Sequence, residues 1–524
     1  MNSKTWTRII ALTLLTTVAI PLPLAAQDQQ SDNRKHHHYQ LVDIGTFGGP
    51  NSSNAWAGIG NRTMNSGGTV IGEAATSASD PYCLVDCFLN DAFQWQNGVM
   101  TDLQGLPGNA NGTYADSINS RGRVSGISGN GAIDLLTGYP QMDAVLWKHG
   151  KITNLGTLGG NASAAFGINN RDQVVGAALN AVLDPFSSGF PAAPYCGGSS
   201  CIAESYAALF FPSATQMHAV LWQNGTIKDL GTLGGPDSVA WQINRRGQIA
   251  GQSYVNSIAN ATTGVPTIDP FFVGEDGKMV DLGSLGGTVS WTTGLNNRDQ
   301  VIGAMTLAGD GGWHPFLWSH GVLTDLGTLG VDCGNATAIN DAGEIVGVAC
   351  SPTAFFATLW RNGALTNLGT VAGDTCSESY AINSQGQVVG ESGDCNGIVL
   401  GHAWLWENGG PMIDLNTLIP PNSGIQLTHS VSINDRGEIS GDGILPTGDH
   451  HAFVLLPCDE NHPGVEGCDY SMVDATAAAK SDRDHAALPS SARTGNSRMP
   501  IGLRDRMRGP MVRRPNRFGS SAPE

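Results

Sequence analysis

Charge is scarce in this 524-residue chain: Asp, Glu, Lys and Arg together make up only 14% of it. Runs rich in Glu, Lys and Ala, from which solvent-exposed helices are built, are correspondingly few, which argues against a helical class. After residue 26 no stretch is apolar enough to span a membrane. No phosphate loop, nucleophile elbow or zinc protease motif occurs. Nor does any cysteine pair join a second pair, of cysteine or histidine, as a structural zinc site requires. Basic residues are lacking wherever a nucleic-acid surface would need them. Residues 27–470 carry a net charge of −25, and only 471–524 run the other way, with ten Lys or Arg against five Asp or Glu. Nucleic acid is therefore excluded as a partner of the main body.

Glycine, in contrast, is abundant at 70 residues, the signature of a chain that turns often. The leader carries Lys4 and Arg8, then "IIALTLLTTVAI", then "PLPLAA" before a polar stretch. This layout predicts a secretory signal peptide over 1–26. A polar linker is expected at 27–38, including the tract His36, His37 and His38, and a disordered basic tail at 471–524. Ten cysteines fit an oxidising destination outside the cell. Cys333 and Cys350, like Cys376 and Cys395, flank the same asparagine in consecutive repeats and are expected to bridge one hairpin each. Proximity pairs Cys83 with Cys87, Cys196 with Cys201, and Cys458 with Cys468, the last stapling an extension over 458–470.

Three phrases recur down the chain. The first is a strand ending in Asn, a turn and a short apolar strand: "SINSRGRVSG" from Ser117, "GINNRDQVVG" from Gly167, "AINDAGEIVG" from Ala338 and their like, eight copies in all with the degenerate "TMNSGGTVIG" from Thr63. The second is a strand usually ending in Trp before a tight turn, as in "DAVLWKHG" from Asp143 and "HAVLWQNG" from His218. The third is "DLGTLGG" from Asp229, with near copies from Asp43, Asn154, Asp281 and Asp325. Asn closes its own turn through its side chain, and small residues two and four positions before it suit an innermost strand. Spacings as short as about 42 residues match four-stranded propeller blades. The chain opens with a fourth-strand phrase that no first strand precedes, and its last unit ends at "HAFVLLP" without a fourth strand. Both shortages vanish if the N-terminal strand completes the last blade. The fold expected is all-β, an eight-bladed β-propeller of four-stranded blades over 39–457, closed in that way.

Taken together the phrases resemble the HAF-repeat family of bacterial extracellular proteins, whose His-Ala-Phe stands at 451–453 and in altered form at 218–220 and 402–404. The resemblance covers about 415 residues. It implies secretion and a repeated β architecture, and brings no substrate, catalytic residue or ligand.

Residues common to most repeats serve turns, packing and pairing, so function is to be sought where repeats differ. That rule marks His218, His314, His402 and His451, which share a position with Asp91, Asp143 and Asp269, as strand-end residues rather than metal ligands. Asp43, Asp229, Asp281, Asp325 and Asp414 alternate with Asn154 and Asn367 in the same sense. The main departures are insertions between the second and third strands, about 40 residues at 177–217 and shorter ones at 73–90, 127–142 and 252–268. All emerge on one face. The expected ligand-binding rim there comprises Tyr82, Tyr139, Phe186, Phe190, Tyr195, Tyr206, Phe210, Phe211 and Trp313, since aromatic rings offer flat faces to sugars or peptide side chains. Along the axis Tyr114, Asp116, Trp241, Trp291, Glu378, Tyr380 and His429 break the small-residue pattern, and these types can move protons. The leading expectation is a secreted, monomeric, non-enzymatic protein that binds carbohydrate or another extracellular protein through the loop-rich face, with no cofactor. The alternatives are an extracellular polysaccharide lyase or hydrolase working at the channel mouth, and a structural cell-surface protein.

Overall fold

The computed structural model describes residues 35–54, 62–80, 87–109, 112–135, 140–184, 186, 215–261, 263–395, 401–407 and 409–474. Eight four-stranded antiparallel sheets form a ring, and no helix among the described residues is long and apolar enough to cross a membrane. The first strands, which line the axis, are Gly48–Ser53, Thr113–Ile118, Ser163–Ile168, Ser238–Ile243, Gly286–Leu295, Gly334–Ile339, Cys376–Ile382 and Gln426–Ile433 in blades one to eight. The second and third strands continue each blade outward. Blade eight is completed by Tyr39–Asp43, which pairs with His450–Pro457 from Tyr39 opposite Pro457 to Asp43 opposite Phe453. The ring closes as expected, and eight blades are present.

The asparagine that ends each first strand explains why the ring holds. Its Oδ1 accepts from backbone N–H groups two and four residues on, as Asn244 does from Arg246 and Gln248, both at 3.0 Å. Its Nδ2 is then free to reach sideways. Asn65 donates to the Asn119 carbonyl, Asn119 to Asn169, Asn169 to Asn244 and Asn244 to Asn296; Asn296 donates to Asn340, Asn340 to Asn383, Asn383 to Asn434, and Asn434 back to Asn65. All eight bonds measure 3.0–3.2 Å, and every member is buried. One side chain thus satisfies a turn and joins two blades.

The "DLGTLGG" phrase forms the joint between blades. Its Asp or Asn accepts from the backbone two residues on in all eight copies, at 2.7–2.9 Å. The residue so held is Gly in six of them and has positive φ, as at Gly231 (φ 76°), which is why Gly recurs there. Its two apolar residues enter the core between neighbouring blades: Leu155 and Leu158 beside Trp222 and Ile168, Leu326 and Leu329 beside Trp360 and Ile345, Leu415 and Leu418 beside Leu405 and Leu427. A Leu as fully buried as Leu415 or Leu418 contributes roughly 1.5–3 kcal/mol, and the other four are partly buried. The core is thus a set of wedges between sheets, not one central mass.

Cys333–Cys350, Cys376–Cys395 and Cys458–Cys468 are bonded, with Cα atoms 5.2–5.4 Å apart. The expected pairs Cys83–Cys87 and Cys196–Cys201 rest on Cys83, Cys196 and Cys201, which lie outside the described residues. Within the expected linker, Lys35–His37 is a short strand antiparallel to Met472–Asp474. His36 is buried and its Nδ1 meets Glu407 Oε1 at 2.7 Å.

Replacing Asn244 by Asp keeps the turn-closing acceptor but puts an oxygen against both acceptors of Nδ2, the Asn296 carbonyl and the Gln248 side-chain oxygen. Denaturant unfolding of Asn244→Asp is expected to show a loss of about 2–4 kcal/mol, and a loss below about 0.5 kcal/mol would show that the sideways bond contributes little.

Candidate functional site

The strand order gives the molecule two unlike faces. First-to-second and third-to-fourth strand turns gather on one, here the turn face; second-to-third connections and the inter-blade joints gather on the other, the loop face. On the loop face, blades one to three extend their second strands to ten residues, Val70–Ser79, Val124–Ile133 and Val174–Leu183, and the last residues of each stand exposed beyond the ring. In the other blades this strand spans six to eight residues.

Charge follows the faces. Between 39 and 457 the chain has thirteen basic residues: Arg62, Arg121, Arg123, Arg171, Arg245, Arg246, Arg298, Arg361, Arg436, Lys148, Lys151, Lys228 and Lys278. All of them belong to the turn face, most within the N-x-x-G turns or the turns after the third strand. There they meet carboxylates of the same or the next blade: Arg123 and Lys148 with Asp172, Arg246 with Glu275 and Asp299, Arg361 with Glu344. Among the described residues the loop face has carboxylates and histidines but no Lys or Arg.

Histidines at the third-strand start pair with the joint carboxylate of their own blade: His218 with Asp229 at 2.8 Å, His314 with Asp325 at 2.8 Å, and His451 with Asp43, across the closing seam, at 2.9 Å. Where Asp143 replaces His, Asn154 donates to it at 2.6 Å. Blade four has Asp at both places, and burial together with the Asp281 charge pushes Asp269 up to about 6. His402 departs from this scheme and pairs with Asp374 at 2.9 Å.

Along the axis one layer of paired residues, just above the asparagine circuit, differs from blade to blade. The pairs are Ser53/Glu73, Tyr114/Ile127, Ala164/Ala177, Val239/Gln252, Trp291/Ala304, Asn335/Val348, Glu378/Glu391 and His429/Asp442. Charge is confined to blades seven, eight and one. The opposite arc is apolar: Tyr114 packs with Ile127, Phe166 and Val239, and the Trp241 ring lies 4.5 Å from that of Phe166. Trp241 Nε1 donates to Gln252 Oε1 and Trp291 Nε1 to Asn335 Oδ1, both at 3.3 Å.

In the charged arc, Glu391 Oε2 takes the Tyr380 hydroxyl at 3.1 Å and lies 3.1 Å from His429 Nε2. Asp442 accepts from Ser53 Oγ at 2.5 Å and the Asn54 amide at 3.0 Å, joining blade eight to blade one. Burial alone would depress His429, but Glu391, then Asp442 and Glu378, lift it to about 9. Burial and the charges of Glu378 and Glu391 push the Tyr380 phenol far above its ordinary range. Burial raises Glu391, and His429 and Tyr380 more than reverse this, so it is held below its usual value. At neutral pH the cluster therefore consists of an imidazolium, a carboxylate and an un-ionised phenol, two proton holders aimed at one acceptor.

Of the axial residues singled out from sequence, Glu378, Tyr380 and His429 come together. Tyr114 and Trp241 belong to the apolar arc. Asp116 is buried at a bulge of its strand with Oδ2 unpartnered, and burial raises it well above the carboxylate range. Glu391, Asp442 and Glu73 were not anticipated. Each directly follows the Gly of the "VVG"-type phrase, a position held by Ile127, Ala177, Gln252, Ala304 or Val348 elsewhere. Of the loop-face aromatics, Phe186 is half-buried against Tyr254, edge to face at 6.5 Å, and Trp313 is half-buried at the start of the third strand of blade five. Tyr82, Tyr139, Phe190, Tyr195, Tyr206, Phe210 and Phe211 lie outside the described residues. A cavity of about 530 Å³, walled by Cys458, Pro463, Val465 and Tyr470, sits in the C-terminal extension, apart from the axial cluster. No group of His, Cys, Asp or Glu with metal-site geometry occurs among the described residues.

No family model matches the chain, and no curated protein matches it in sequence. Solved structures similar to it include the β-propeller domain of the Trilobed protease from Pyrococcus furiosus, with a TM-score of 0.38 at 9% identity, covering 68% of this chain and 96% of that one. A putative TolB from Agrobacterium tumefaciens gives 0.27 at 14% identity, covering 47% and 88%. Pyrococcus horikoshii acylaminoacyl peptidase gives 0.36 at 9%, covering 73% and 57%.

Two outcomes follow from the electrostatics. His429 has a folded pKa above its unfolded value of about 6.5, so its contribution is full below pH 6.5 and is lost as pH rises through about 9. Thermal melts between pH 6 and 10 should show that decline, and His429→Gln should flatten it. Asp269 is a raised carboxyl, so the wild type gains stability as pH falls from about 6 towards 4. Asp269→Asn removes the like charge and offers Asp281 an amide, and is expected to stabilise the protein at pH 7 by on the order of 1 kcal/mol, with the gain vanishing near pH 4.

Proposed function

We propose that this is a secreted binding protein that presents its loop face to a carbohydrate or a protein, without catalysing a reaction. The observation carrying this reading is the asymmetry of the ring: the eight asparagine turns are closed alike on the turn face, while blades one to three project long hairpins from the loop face. Exposed aliphatic side chains collect on those projections and their neighbour, Leu135, Val182, Leu183 and Ile258 among them, as is usual of interaction surfaces. The disulfides and the leader sequence agree with export, and so does the resemblance to HAF-repeat proteins.

A second reading, a polysaccharide-cleaving enzyme at the axial mouth, draws on the His429, Glu391 and Tyr380 cluster. It is the weaker one. Proton abstraction at neutral pH needs a base poised near that pH, whereas the imidazole and the phenol here both retain their protons. Glycan arrays and extracellular-protein panels probed with the purified protein, beside assays for new reducing ends and unsaturated products, separate the two readings. Binding without turnover, unchanged by His429→Ala, supports the first. Turnover abolished by that substitution overturns it.

A further inference from the structure

The loop face combines two features that arise separately. One is an aliphatic rim over consecutive blades: Ile133 and Leu135 in blade two, Val182 and Leu183 in blade three, and Ile258 in blade four, with Leu135 95%, Ile258 75% and Leu183 71% exposed. The other is charge of a single sign. The exposed carboxylates Asp102, Asp229 and Asp281 occupy the joints of that sector, and every Lys and Arg of the ring is on the opposite face. A protein surface that exposes aliphatic groups and excludes cations suits a partner that supplies both apolar contact and positive charge.

We infer that the hairpin ends of blades two to four dock a cationic, amphipathic polypeptide segment, its apolar side chains on the aliphatic rim and its Lys or Arg toward the joint carboxylates. This rests on the loop-face reading above and narrows it. A second copy packed loop face to loop face fits poorly, since among the described residues carboxylate would meet carboxylate with no Lys or Arg to offset them. A neutral glycan gains most from flat aromatic rings, whereas among the described residues the exposed groups of this sector are branched aliphatics and the Phe186 ring is turned against Tyr254. The acidic face also draws a cationic segment in from a distance, which makes association sensitive to ionic strength.

Fluorescence anisotropy with a labelled amphipathic Leu/Lys peptide, using the intact mature protein, tests the inference. A matched Leu/Glu peptide and a Lys/Ser peptide serve as comparisons. The Leu/Lys peptide is expected to bind best, and to lose affinity as salt rises. The double variant Leu135→Ser/Leu183→Ser is expected to weaken it about tenfold or more, as the loss of two apolar anchors should, with an unchanged melting temperature because both side chains are exposed. Arg171→Ser, on the turn face, should leave binding intact. Equal binding of the three peptides, or indifference to the double variant, overturns the inference. If the glycan or protein screen still finds a ligand that the double variant loses, the cationic preference alone has failed. If the ligand found is indifferent to loop-face substitutions, the loop-face reading falls with it.

Discussion

Eight asparagine side chains, each closing its own turn with the oxygen and crossing to the next blade with the nitrogen, are the constraint on which this structure depends. A propeller blade has most of its apolar area between itself and its neighbours, and such wedges resist separation without specifying angle or height. The directional bond from Asn Nδ2 to the next asparagine's carbonyl supplies that register at the narrowest part of the ring. Because the bond from Asn434 returns to Asn65, the circuit and the strand closure by Tyr39–Asp43 meet at the same seam, the first near the axis and the second at the rim.

Repetition and departure divide the labour. The joint phrase brings a self-capped Asx turn and two apolar wedges, the third-strand Trp fills the inter-blade core, and the basic residues knit the turn face through pairs such as Arg123 with Asp172 and Arg246 with Asp299. The Asx turn recurs in all eight blades and the Trp in six, and they leave little freedom. What varies lies on the loop face and in the axial layer. There the charged arc of blades seven, eight and one faces an apolar arc centred on Phe166 and Trp241. The two kinds of variation are distinct: the axial cluster is largely saturated by its own hydrogen bonds, whereas the projecting hairpins leave aliphatic groups in water.

Much of this was legible from the residues. Periodicity and the complementary ends of the repeat array lead directly to eight blades and to closure by the N-terminal strand. The spacing of cysteines around Asn340 and Asn383 leads to two of the bonded pairs. Sharing of one position by His218, His314, His451 and Asp143 marks them as strand-end groups, and the structure pairs each with a joint residue. The sideways reach of Asn was not legible, because it exists only once neighbouring turns are brought alongside. Glu391 and Asp442 were not legible, because the small-residue pattern marks only the first strand, while the second strand contributes the facing half of each axial pair. Whether Phe186 faces solvent or Tyr254 is decided by packing at the loop base, on which spacing is silent. The one-sided distribution of Lys and Arg is written in the repeat phrases, and it becomes visible only when strand direction assigns those phrases to a face.

Hydrogen exchange of the native protein tests the closed circuit most directly. If the ring is one cooperative unit, the backbone amides of Gly67 and Thr69, and of Arg436 and Glu438, which the seam asparagines hold, will exchange as slowly as those of Arg246 and Gln248 in blade four, all through global unfolding. Fast exchange at the seam, with blade four still protected, would contradict the account, since it would mean that the ring opens there without the rest of the molecule.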